Sequence, residues 1–292
     1  MFGEIASFIS VWDRLFQAKK KHEKTETVAD RFILLFEKHD VHRNQIPRFF
    51  DHGLTHDDVN SHDKLLSKLT DDILKDVSEL FGIRLEWLEG VDKQIYDTHH
   101  FYKHPEEYAA FLTQLKTGND DRVSAQLLLS YNNGGDEDAL LLLSEDIGRI
   151  GDKAIVRNHL CSGWTHRYYK CRADLAACIA MTEKEHVSIR GSRFKSPINS
   201  FCKGESFITG LDELESFYER DRLFRKCYQY WEPQDWVEDP EEFISDLVDG
   251  QWGKVSALKQ WLNYHDKGYI ETGYGDKDSY NLFSILLEKL TH

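Results

Sequence analysis

The stretch Thr70 to Gly90, TDDILKDVSELFGIRLEWLEG, decides the fold of the first third of the chain. Thr70 offers a side-chain oxygen to the unpaired N–H groups of a helix start, and Asp71 and Asp72 stand where the helix dipole favours negative charge. Ile73, Leu74, Val77 and Leu80 recur at helical spacing and form one apolar face. Gly82 can adopt the left-handed conformation that ends such a helix. Ile83, Leu85, Trp87 and Leu88 then open a second short apolar element.

Working outward, Thr27 to His39 reads as a helix with Val28, Phe32, Leu35 and Phe36 inside, and Asn44 to Phe50 as a second one. Pro47 fits its first turn, where a missing N–H is tolerated. Gly53 breaks the chain. Thr55 can cap a further helix in which Val59 points inward, and Leu65, Leu66 and Leu69 carry the apolar thread to Thr70. This helical block resembles the lambda-repressor-like (Xre-type) helix-turn-helix family. There the closing stretch reads roughly S-L-E-T-L-L-K-I-A-K-A-L-G-V-S-L-D-W-L-L-G. Leu74, Val77, Ser78, Gly82, Ile83, Leu85, Glu86, Trp87, Leu88 and Gly90 fall on matching positions without a gap. The likeness covers the N-terminal third only.

The resemblance implies a five-helix-type DNA-binding domain that works as a homodimer on an operator. Carried across, Arg43 and Asn44 start the second helix, and Thr55, His56 and Asn60 lie on the third, facing base edges. Arg48 and Lys64 would hold phosphates. The residues themselves leave a second reading open. The third helix, THDDVNSHDK, carries Asp57, Asp58 and Asp63, and DHGL is longer than the family's turn. From Thr27 to Val91, eight basic residues face thirteen acidic ones, a net −5. Phosphate neutralisation supplies most non-specific affinity. The alternative is therefore a protein-interaction module that keeps the fold without binding DNA.

The 292 residues are 40% hydrophobic and 30% charged, enough for a large core and unlike a disordered chain. The net charge of −14 excludes nucleic-acid binding over the whole surface and leaves only a local patch. Such a patch exists in sequence. From Lys153 to Lys203, ten basic residues face three acidic ones, a net +7 that leaves −21 elsewhere. Arg157, Arg167, Lys170, Arg172, Arg190, Arg193 and Lys195, with Trp164, Tyr168 and Tyr169 among them, are candidates for an anionic small molecule, for DNA phosphates or for the chain's own acidic segments. The bland reading is that they solvate different faces.

The expected architecture is mainly α with an α+β C-terminal part. Residues 1–26 form an amphipathic helix through Phe2, Ile5, Phe8, Ile9, Trp12, Leu15 and Phe16. Its polar face carries Glu4 and Asp13, which suits core packing or dimerisation rather than a membrane surface. Residues 27–96 are the helix-turn-helix domain, 97–105 (DTHHFYKHP) a linker, and 106–292 a sensor, ligand-binding or dimerisation domain. In that last part, Pro105–Leu115 and Tyr169–Glu183 read as helices, and Arg122–Tyr131, Ala139–Leu143, Lys153–Leu160 and His186–Phe194 as strands. NNGGDED reads as a turn. Leu211–Tyr230, Pro240–Val248, Val255–Tyr264 and Tyr280–Leu290 read as helices, with Gly250, Gly253 and Gly268 between the later ones. This strand and helix order would suit a small-sheet sensor of the PAS or GAF kind.

Chemical motifs are scarce. No GxxxxGK[ST], GxGxxG after a strand, GxSxG or HExxH occurs, so no enzyme class and no cofactor is indicated. An enzyme of unrecognised type is the remaining alternative. His52 with His56, and His99, His100 and His104 in the linker, have metal-like spacing but read as exposed histidines. Cys161 beside His159 or His166 is a candidate nucleophile or redox thiol without a recognisable orienting group. Five cysteines at irregular spacing, with no CxxC, read as free thiols of a reducing cytoplasm. No apolar run reaches membrane-span length, and the N-terminus does not read as a secretory signal.

Overall fold

A computed structural model describes residues 26–117, 123–130, 138–194, 197–208, 227–271 and 278–292. The expected helix over 1–26 and the NNGG turn lie outside the described residues. The chain starts with short helices: α1 (Val28–Lys38), a 3-10 turn (Arg43–Gln45), α2 (Ile46–Phe49), α3 (His56–Val59), α4 (His62–Lys68), α5 (Asp71–Phe81) and α6 (Leu85–Leu88). Local chemistry sets their ends. Thr27 and Asp30 close a reciprocal capping box on α1. Thr70 accepts the Ile73 N–H at the start of α5, and Gly82 ends it at φ +64°. A side chain at Gly82 would also meet the Arg157 stem at 3.0 Å, so both backbone freedom and space require glycine there.

The remaining elements are β1 (Thr98–His100), α7 (Pro105–Lys116), β2 (Val123–Ser130), β3 (Ala139–Ile150), β4 (Lys153–Trp164), α8 (Tyr169–Lys184), β5 (Ile189–Phe194), α9 (Asn199–Cys202), β6 (Cys227–Trp231), α10 (Pro233–Glu238), α11 (Pro240–Ile244), α12 (Gly250–Asp266) and α13 (Ser279–Thr291). The six strands form one mixed sheet in the order β1-β4-β3-β2-β5-β6. β2, β3 and β4 make an antiparallel meander. The chain then crosses over through α8 so that β5 pairs in parallel with β2. The class is α+β.

The leucine runs of β2 and β3 are apolar on both faces because both faces are covered. Leu127, Leu129, Leu141 and Leu143 join a core with α7, α8 and the C-terminal helices. Leu128, Leu140, Leu142 and Leu160 join the other core, with Phe32, Phe36, Phe81 and Trp87 of the N-terminal helices. The N-terminal helices therefore form one layer of a sandwich and share their core with the sheet.

Four expectations change. The linker contains strand β1, which pairs in parallel with β4; three residues are too few for a periodic signal. The end of the expected helix Leu211–Tyr230 is strand β6, paired with β5, and residues 209–226 lie outside the described residues. Strand β3 runs on to Ile150, because its polar second half keeps pairing with β4. Gly250 and Gly253 lie inside the first turn of α12 rather than before it. No described helix is long and apolar enough to cross a membrane, and Cys161, Cys171, Cys178 and Cys202 are free and buried.

Candidate functional site

The outward face of the N-terminal layer is built around α3. Thr55 donates its hydroxyl to Asp58 Oδ2 at 2.6 Å and accepts the Asp58 N–H at 3.2 Å. The hydroxyl bond and a second one donated by the Thr55 backbone N–H at 2.9 Å hold the Asp58 carboxyl below the usual carboxylate range. The threonine is thus committed to its cap. The helix lasts one turn. Asn60 ends it, its amide donating to the His56 carbonyl at 2.7 Å, and α4 begins afresh at His62. The continuous third helix expected over residues 55–64 is broken at Asn60–Ser61.

Asn60 also donates to Asn44 Oδ1 at 3.2 Å, so Asn44, His56 and Asn60 stand together and exposed. Arg43 turns to Glu37 on α1 at 3.7 Å, and Lys64 is paired with Asp57. Arg48 is exposed in the last turn of α2. His52 stacks on Phe50 and faces Asp76 at 2.8 Å, which separates it from His56.

The basic island does not converge. Arg157 reaches the N-terminal layer, donating to the Leu80 carbonyl at 3.0 Å, and faces Glu145. Arg167 donates to the Asp246 backbone. Lys170 lies over Tyr168 and Tyr169, and Arg193 over Trp231 at 4.5 Å. Arg190 is exposed on β5, and Lys195 lies outside the described residues. Arg172 is fully buried, paired with Asp246 at 2.7 Å, bonded to the Phe243 carbonyl and 4.9 Å from the Trp236 ring. Arg157, Arg167, Arg172 and Arg193 thus each engage another part of the chain, and Arg172 faces no solvent.

Sequence reasoning missed the carboxylates that meet this arginine. Ala139 at the start of β3 pairs with Trp164 at the end of β4, which brings the flanking Asp138 and His166 together. His166 Nδ1 lies 3.0 Å from Asp138 Oδ1, and Nε2 lies 3.6 Å from Asp246 Oδ2. Burial alone would raise the Asp246 carboxyl. The His166 hydrogen bond and the Arg172 charge outweigh it and hold the group well below the carboxylate range. At 1% exposure His166 is closed to any substrate, so this polar network orders strand ends and helices. His166 and Arg172 were visible in the island; Asp138 and Asp246 follow only from the fold.

Thiol chemistry is corrected too. Burial pushes the Cys161 thiol far up and the Cys171 thiol up to about 11, so neither is a ready thiolate. His104, Glu106 and Glu107 gather three ligating groups at the exposed start of α7, where carboxylates also answer the helix dipole. Comparison with protein-family models, with curated proteins and with solved structures found no match to the chain.

Proposed function

We propose that the protein is a regulator whose N-terminal helical layer is a protein-interaction module. On this reading it keeps the helix order of the lambda-repressor-like family without the contact to duplex DNA. The observation that carries the reading is the state of the third helix. It is one turn long, its capping threonine is committed to Asp58, and the neighbouring cations Arg43 and Lys64 are held by Glu37 and Asp57. A reading helix needs several side chains free to reach base edges and a positive flank for phosphates. The acidic display suits a basic protein surface better.

The second reading is a DNA-binding transcriptional regulator acting as a homodimer, and one observation favours it. Asn44, His56 and Asn60 form a contiguous exposed polar group where base contacts would lie. A photo-crosslinking residue at His56, in the full chain in intact cells, separates the two. The proposal expects one defined protein adduct, lost when Asp57 and Asp63 are changed to lysine. Adducts to nucleic acid would overturn it in favour of the second reading.

A further inference from the structure

We infer that His99 and His159 form a binding site for a divalent transition-metal ion at the seam between the N-terminal layer and the sheet edge. The seam is a cleft of ≈ 470 Å³, lined among others by Lys75, Glu79, Arg84, Asp97, His99 and His159. Strand β1 pairs with β4 in the register His99 opposite Cys161, and His159 stands two residues before Cys161. Side chains two apart on a strand share a face. The two imidazoles are therefore neighbours, with ring centroids 6.2 Å apart. Phe111 of α7 packs against both, at 4.5 and 5.7 Å.

The hydrogen bonding suits ligation. His159 Nε2 lies 3.1 Å from Glu145 Oε2, and a carboxylate only accepts, so Nε2 carries the proton and Nδ1 the lone pair. A histidine oriented by a carboxylate in this way is the usual support behind a metal ligand. Neither nitrogen of His99, nor Nδ1 of His159, has a hydrogen-bond partner among the described residues. Asp97 lines the same cleft but is held by Arg84 Nη1 at 3.3 Å and does not gather with the two imidazoles, so water completes the ligand set. Two imidazoles completed by water suit Zn²⁺, Co²⁺, Ni²⁺ or Cu²⁺ rather than Mg²⁺ or Ca²⁺.

The test uses the untagged full chain, stripped with EDTA and titrated with Co²⁺ by visible absorption and with Zn²⁺ by calorimetry. The expected result is one equivalent per chain. H99A and H159A should each abolish the Co²⁺ band, and E145Q should weaken binding about 10–100-fold. H104A, at the exposed trio, should leave binding unchanged. Metal-free melting curves check that the variants fold; H99A, at a half-buried edge position, decides the matter should H159A not fold. No binding up to on the order of 1 mM metal, binding that survives H99A, or binding lost in H104A would overturn the inference.

Discussion

The two helical layers that enclose the sheet both bury aromatic rings and differ in the charge they bury. The N-terminal layer buries aromatic rings: Phe36 packs against Phe32, Phe50 and Phe81 at centroid distances of 5.0, 5.7 and 5.1 Å. Its charges are mostly displayed on the outside. The C-terminal layer buries charge. Asp138, His166, Arg172 and Asp174 are all below 9% exposed beneath α8 and its neighbours. An apolar layer leaves its polar surface free for a partner, whereas a layer held by internal ion pairs has spent its cations on its own architecture. Arg172 and Arg193 of the basic segment are engaged by Asp246 and Trp231, and the acidic N-terminal layer carries the candidate interface.

The sharpest way to break this contrast is Phe36→Ala. Phe36 is fully buried, and the change should cost about 4 kcal/mol. Because the N-terminal layer and the sheet share a core, urea unfolding followed by fluorescence and circular dichroism should show one coincident transition at lower midpoint. A sheet that outlasts the helices would mean two independent domains. Arg172→Met should cost about 3 kcal/mol, since it strips the counter-charge from Asp246 and a donor from the Phe243 carbonyl. A neutral result in the same urea titration would mean that the buried network is not structural.

The layers should also differ in pH response. His39, buried in the N-terminal layer, donates from Nδ1 to the Leu35 carbonyl at 2.8 Å and accepts from the Tyr96 hydroxyl at 3.2 Å. Burial lowers it to about 4, so its contribution is complete above its unfolded value near 6.5. That contribution is lost as pH falls toward 4, by up to about 3 kcal/mol. Asp174, in the C-terminal layer, is raised to about 6 by burial, against bonds from Tyr264 and the Lys103 N–H that lower it. Its raised value makes the fold most favoured below the unfolded value of 3.8 and less so as pH climbs through 6. His39→Gln should flatten the acid limb of a stability–pH profile. Asp174→Asn should flatten the limb between pH 4 and 7 and add about 2 kcal/mol at pH 8. The smallest effect belongs to Lys64→Ala. Its pair with Asp57 is exposed and screened by solvent, so the urea midpoint should stay essentially unchanged.

Periodic, locally capped elements were legible in the sequence. Thr70, the apolar face through Val77 and Gly82 mark α5 to within a residue, and the leucine runs mark β2 and the start of β3. Elements whose cause is distant were not. Strand β1 exists because β4 offers an edge, and β6 because β5 does; neither has a local signature. The break at Asn60–Ser61 was equally hidden, because side-chain bonds from Asn60 to His56 and Asn44 decide it rather than glycine or proline. The same holds at the sites. His99 was visible, but its neighbour His159 is sixty residues away and is set by strand register.

On the proposed function, the outer face of the N-terminal layer serves a protein rather than duplex DNA. Fluorescence anisotropy of labelled duplex from upstream of the protein's own gene, titrated with the full chain from about 20 to 200 mM salt, tests it most directly. The account predicts no saturable binding even at the lowest salt. Saturable binding that weakens steeply with salt, and is further weakened by Asn44→Ala or Asn60→Ala, would contradict it.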